Sequence, residues 1–257
     1  MWNGVIPMDI SYIEKHIEQL KNDIYRNVEH KTLVKYTGNP LVDENQLFYL
    51  LLPFFDGEAW DDDIYQGVIT VGIVQASLAK HNLVDEYDAT TKQQQLTVLS
   101  GDYYSGRYYE ILAKSGNISL IRQLSESVII RSEHEVRVYE PTNYAIDDWF
   151  DSLSVIESEC INRFYQIYNF NQYSKIMQNN LLILRLQNEL LNYRKGNSSR
   201  FLQKMKESVG PDDSLNFEKY LQHRIEVLVD QLRELLRTSS MKAELKQYIA
   251  ERLIRES

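Results

Sequence analysis

Carboxylates are the first residues in this chain whose types and spacing could do chemistry. Asp147-Asp148-Trp149-Phe150-Asp151 places acidic side chains at i, i+1 and i+4, and Asp61-Asp62-Asp63 sets three in a row. Carboxylates grouped this way could supply the hard oxygen ligands that Mg²⁺ requires. Each run also stands where a helix should begin, the first of them just after Pro141, and acidic residues at a helix N-terminus complement its dipole. The helix-start reading is preferred for both. His81 and His134 lack further ligands at metal spacing and are read as packing or surface residues. Cys160, the single cysteine, has no His near it on its helix and reads as a buried structural thiol. The most unusual cluster is Tyr103, Tyr104, Tyr108 and Tyr109. At helical spacing Tyr104 and Tyr108 share a face. They either pack in a core with satisfied hydroxyls or form a partner-facing or tunnel-lining surface.

The elements that must position these residues are helices. The chain has 257 residues with only 10 Gly and 5 Pro, too few turn formers for an all-β fold of this length. Ile10, Ile13, Ile17, Leu20 and Ile24 recur at steps of three and four and predict a first helix over 9–36, ended by Thr37-Gly38-Asn39-Pro40. A second begins near Asp43. A third, over 58–81, is apolar without a clear polar face and so should be central. Further helices are expected over 92–114, 118–139, 147–168 and 173–193. The last strong helix carries Phe217, Tyr220, Leu221, Ile225, Leu228, Leu232, Leu235 and Leu236 on one face. No alternating Val/Ile segment, repeat or low-complexity linker competes. One all-α domain over 1–257 is the simplest organisation, with 194–257 its looser part.

The formal net charge of -9 and the absence of a basic stripe argue against a nucleic-acid partner. No signal peptide is expected at the N-terminus. The longest strongly apolar run, 47–55, contains Pro53 and falls far short of the roughly 20 residues that cross a bilayer. A cytoplasmic location is expected.

Leu99-Ser-Gly-Asp-Tyr-Tyr-Ser-Gly-Arg-Tyr-Tyr-Glu-Ile-Leu-Ala113 resembles one helix of the trans-isoprenyl diphosphate synthase family, in which a Gly-Asp-aromatic step opens a stretch ending in an acidic residue and leucines. Leu124-Ser-Glu-Ser-Val128 followed by Glu133-His-Glu-Val136 is similar to that family's next helix. Ala76-Ser-Leu-Ala-Lys-His81 resembles the helix leading into its first aspartate-rich motif. The likeness spans about residues 70–140. It is closest to the small subunits, or component 1, of two-component heptaprenyl diphosphate synthases, and it implies an isoprenoid-synthase-like bundle of long helices.

The departures from the catalytic pattern matter as much. At the first aspartate motif this chain has Asn82-Leu83-Val84-Asp85-Glu86, so neither leading aspartate is present. At the second, Asn188, Glu189 and Asn192 are expected to stand for three aspartates. The family's early Gly-Gly-Lys-Arg segment has no counterpart near Gly38, and Glu159-Cys160 replaces a Lys-Thr pair. Carboxylates are missing where metal binds, and cations where diphosphate binds.

The resemblance therefore implies no catalytic residue and no metal or cofactor held by this chain, which is predicted to be inactive alone. It implies a catalytic partner, component 2, that carries Mg²⁺ on intact motifs and uses farnesyl and isopentenyl diphosphates toward the menaquinone side chain. The partner should dock through the helices over 58–81 and 92–114, with Tyr103, Tyr104, Tyr108 and Tyr109 as anchors. Ala76, Ser77 and Leu78 correspond to positions that border the product tunnel, although small residues there equally suit close helix packing. The competing readings are a helical scaffold with a prenyltransferase-like core and no prenyl role, and an independent terpenoid enzyme using Asp147 to Asp151.

Overall fold

In the computed structural model the described residues are 10–84 and 91–255, and no strand occurs among them. The helices are α1 (Ile10–Asn27), α2 (Lys31–Thr37), α3 (Glu44–Asp56), α4 (Asp62–His81), α5 (Lys92–Ser115), α6 (Ile118–Val136), α7 (Ile146–Tyr168), α8 (Ser174–Arg194), α9 (Arg200–Ser208), α10 (Pro211–Leu215), α11 (Phe217–Thr238) and α12 (Ala243–Arg255). The expected first helix is in fact two. His30 leaves the helical conformation (φ -147°, ψ 109°), and its imidazole accepts the N–H of Leu33 to start α2. The apolar period ran through this break unmarked, since Val28 and Leu33 are both buried on either side of it. The looser part after 194 begins with α9 and α10, and α12 lies beyond the last helix the sequence pattern indicated.

The helices group into two compact units: Met1–Glu126 with Arg163–Phe170, and Ser127–Asn162 with Asn171–Ser257. Helices α6 and α7 contribute residues to both. In the first unit α4 is the central element, buried on every side from Gly67 to Leu78. Its start is fixed by Asp61, whose carboxylate accepts from the Ile64 N–H at 2.8 Å. Helix α1 lays Ile13, Ile17, Leu20 and Ile24 against the core, each worth about 1.5–3 kcal/mol when fully buried. A Cβ at Gly72 would stand 2.3 Å from Ile24 Cδ1, so the absence of a side chain there permits this approach. Helix α5 packs along α4 and ends at Gly116, which adopts φ +71°, a conformation that costs glycine little.

In the second unit α11 packs on α8. Phe217, Leu221, Ile225, Leu228, Leu232 and Leu236 form its buried face, whereas Tyr220 and Leu235, expected on the same face, are only partly buried. Trp149 of α7 is buried and donates its indole N–H to Ser208 of α9 at 2.9 Å, tying down the short helix.

Candidate functional site

The sequence reading expects the first aspartate-rich motif at the C-terminal end of α4. Ala76, Ser77 and Leu78 are all buried there. Ser77 Oγ donates to the carbonyl of Gly101 at 2.8 Å and lies 2.9 Å from Ser105 Oγ. Ser77 thus faces the backbone of α5, and the tunnel expectation gives way, for this residue, to close helix packing. Gly101 is needed for the same crossing. A Cβ on it would fall 2.4 Å from His81 Nε2, so the imidazole lies directly on α5, 3.6 Å from the carboxylate of Asp102. The Gly-Asp step of the sequence is therefore a seat for His81.

Beyond His81, Asn82 serves as the C-cap residue of α4, and its N–H bonds the Leu78 carbonyl. Leu83 is half exposed. Asp85 and Glu86 lie outside the described residues. One residue missed in the sequence is Lys80, which is 0% exposed and donates to the Thr37 carbonyl at the end of α2 at 2.6 Å. Burial holds its pKa below the ordinary lysine value. Its place after an apolar run suggests a solvated C-terminal cation. The signal against that is its register, four residues after Ala76 and three after Ser77, in the buried phase of the helix.

On α8, Asn188 is exposed and accepts from the side chain of Asn192 at 3.3 Å. Glu189 turns the other way and is buried. Arg185, one turn earlier, donates to it from Nε at 3.0 Å and Nη2 at 2.9 Å, while its Nη1 donates to Glu157 of α7 at 2.7 Å. Burial works against the charged guanidinium, but Glu157 and Glu189 outweigh it and hold the Arg185 pKa above its ordinary value. Asn188, Glu189 and Asn192 do not converge as three aspartates would. The one carboxylate among them is already neutralised by an arginine of the same helix. These residues do not fit a Mg²⁺ site, which needs several free oxygen ligands in near-octahedral geometry. Among the described residues, no three of His, Cys, Asp or Glu form a group able to hold a metal ion.

In the two acidic runs, four carboxylates have structural partners. Asp148 accepts the Ala145 N–H at 2.9 Å, capping the start of α7, and Asp147 pairs with Arg224 at 3.2 Å. Asp61 caps α4, and Asp63 accepts from Tyr168 at 3.1 Å. Cys160 is buried, accepts a hydrogen bond from Ser127 at 3.5 Å, and has its pKa raised chiefly by burial. His134 lies 3.1 Å from the Ser152 hydroxyl and has its pKa lowered, first by burial and then by Arg137.

The tyrosine cluster divides. Tyr104 and Tyr108 are buried within this chain's own core, which removes them as interface anchors. Burial pushes the Tyr104 pKa up to about 12. Tyr103 is half buried, with its ring edge against His30, and Tyr109 is 43% exposed with its hydroxyl 2.7 Å from Ser125 Oγ on α6. The expectation that the helix over 58–81 offers a docking face also fails, because α4 is enclosed by its neighbours. Val98 (38% exposed), Leu99 (51%), Tyr109 and, at the start of α6, Ile118 (60%) are among the large apolar side chains that α5 and α6 turn outward.

A family described as heptaprenyl diphosphate synthase (HEPPP synthase) subunit 1 matches residues 30–236. The chain belongs to this family. It is 34% identical over 119 residues, 46% of its own length, to heptaprenyl diphosphate synthase component 1 of Geobacillus stearothermophilus. The match spans about half, 54%, of that relative. Among solved structures it is similar to heptaprenyl diphosphate synthase of Staphylococcus aureus (TM-score 0.72, 9% identity, 95% of this chain and 97% of that one). It is also similar to a decaprenyl diphosphate synthase of Rhodobacter capsulatus (TM-score 0.68, 10% identity, 96% and 98%). At such identities the likeness establishes the polyprenyl synthase fold of this chain and nothing further. No described helix is long and apolar enough to cross a membrane.

Proposed function

We propose that this chain is the non-catalytic, accessory subunit of a two-component heptaprenyl diphosphate synthase and works by pairing with a catalytic component. One observation supports the reading: Arg185 holds Glu189, which the resemblance sets at the second metal-binding motif, while the same resemblance sets Asn82 and Leu83 at the first. A diphosphate-cleaving synthase must neutralise its leaving group with metal ions held by carboxylates. Here those carboxylates are replaced or bound internally, so Mg²⁺ belongs to the partner, along with the chemistry on farnesyl and isopentenyl diphosphates. A role in setting product length, and a product used for the menaquinone side chain, follow from the same reading. The Geobacillus relative is named component 1, which implies a second component for that protein.

The test compares the purified chain, a candidate aspartate-motif partner from the same source, and the two co-expressed. Mg²⁺-dependent formation of a long prenyl product is expected only from the co-purified pair. Condensation by the chain alone, or full activity and unchanged product length from the partner alone, would overturn the proposal.

A further inference from the structure

The stretch from 190 to 206 departs from the charge pattern of the chain. It holds five cations, Arg194, Lys195, Arg200, Lys204 and Lys206, and no acidic residue, in a protein whose formal net charge is -9. Packing gathers these cations in the second unit, along α9 and the end of α8. Lys206 sets its ammonium 5.6 Å from the centre of the Tyr193 ring and donates to the Tyr193 hydroxyl at 3.2 Å. Tyr193 in turn meets Phe217 of α11 edge-on, with ring centres 6.1 Å apart. Arg200, at the start of α9, holds its guanidinium 4.7 Å over the ring of Tyr139. Lys195 is exposed just past α8.

The same surface turns apolar side chains outward. Leu215, at the end of α10, is 84% exposed and stands two residues before Phe217, the ring that packs on Tyr193. Leu191 is about half exposed and shares its face of α8 with Arg194 and Lys195, at i+3 and i+4. Tyr139 is also about half exposed. The nearby carboxylates have local roles. Glu218 pairs with Arg194 at 2.9 Å and Glu207 with Lys204 at 3.3 Å, while Asp212 and Asp213 stand in the first turn of α10, where they complement its dipole. Lys195, Arg200 and Lys206 are the cations set beside tyrosine or leucine side chains.

We propose that this surface docks on an anionic lipid leaflet. At a bilayer surface, phosphate headgroups attract lysine and arginine, while tyrosine rings and leucine side chains enter the boundary between headgroups and acyl chains. Cations held beside tyrosine, with leucine exposed among them, match both layers. A nucleic acid or an acidic peptide would use the cations and leave Leu215 in water. Negative charge elsewhere on the chain is repelled by such a leaflet, so it turns α9 toward the membrane. The contact is peripheral. Leu202 and Met205 of α9 stay buried within the protein, and no described helix is long and apolar enough to cross a bilayer.

Co-sedimentation of the whole chain with vesicles tests this, comparing phosphatidylcholine alone with phosphatidylcholine containing about 30% phosphatidylglycerol. The wild type should bind the anionic vesicles and be released when salt rises from about 0.05 to about 0.5 M. A cation near an anionic leaflet strengthens binding about fivefold, so Lys195→Gln, Arg200→Gln and Lys206→Gln together should weaken it about a hundredfold. Lys31→Gln, Lys35→Gln and Lys92→Gln, an equal charge change in the first unit, should leave it within about twofold. Leu191→Gln with Leu215→Gln should lose about tenfold with every cation retained. Circular dichroism confirms that each variant is folded. Equal binding of the wild type to both vesicles, or binding that survives the high salt, overturns the proposal. So does a folded variant of the three second-unit cations that binds like the wild type, or a first-unit variant that loses as much. An unaffected leucine variant would overturn the assignment to lipid.

Discussion

Lys80 shows how one residue can be misjudged from its neighbours in the chain. Its ammonium is enclosed, and its compensation is the negative end of α2, represented by the Thr37 carbonyl. Since burial lowers its folded pKa below the reference 10.5, the unfolded chain binds more protons through the window between the two values. Stability must therefore rise with pH across that window and level off near the unfolded value. Denaturant midpoints measured from neutral pH upward should show this rise in the wild type and a flatter profile in Lys80→Met. Identical pH profiles for the two proteins would mean that Lys80 is solvated after all. Arg185 makes the related point in the second unit, where a cation of the chain is held between the carboxylates of Glu157 and Glu189.

At the scale of elements, what the helices require of their glycines differs along the chain. Gly72 of α4 meets Ile24 of α1, and an added methyl would lie 2.3 Å from a fully buried side chain. Gly72→Ala should cost about 1–3 kcal/mol through overpacking. Gly106, in the middle of α5, has nothing within 4 Å of where its Cβ would be. Gly106→Ala should instead stabilise the isolated chain by roughly 0.5–1 kcal/mol, because it removes glycine's entropic penalty inside a helix. Thermal or urea unfolding of both variants checks the contrast in sign, and two changes of the same sign would refute this account of the α1–α4 approach.

For the whole molecule, the outward apolar side chains of α5 and the start of α6 are where the accessory-subunit reading places the partner. A stable interface buries about 1,200 Å² or more and centres on a few large apolar or aromatic anchors. Leu99→Glu with Tyr109→Glu should leave the fold intact, since both side chains are already largely exposed. On this reading the double variant loses co-purification with the catalytic component and, with it, long-chain product. Retention of the complex by a folded double variant would move the docking face elsewhere. Equivalent changes at Tyr104 and Tyr108 would be uninformative, because those residues support the core.

Helical class and the buried faces of α1 and α11 followed from the spacing of apolar residues alone, because a 3.6-residue period admits few other structures. The helix-start role of Asp147 and Asp148 was equally plain, since residue type and local capping chemistry decide it. Tertiary structure alone settled the matters that depend on which elements touch. It buried Tyr104 and Tyr108 while leaving Tyr109 in the open, and it directed Ser77 to the α5 backbone. It paired Glu189 with Arg185, enclosed Lys80 under the end of α2, and broke the first helix at His30. Periodicity reports that a face is buried. What that face is buried against, and whether a charge on it has found a partner, are properties of the packed chain.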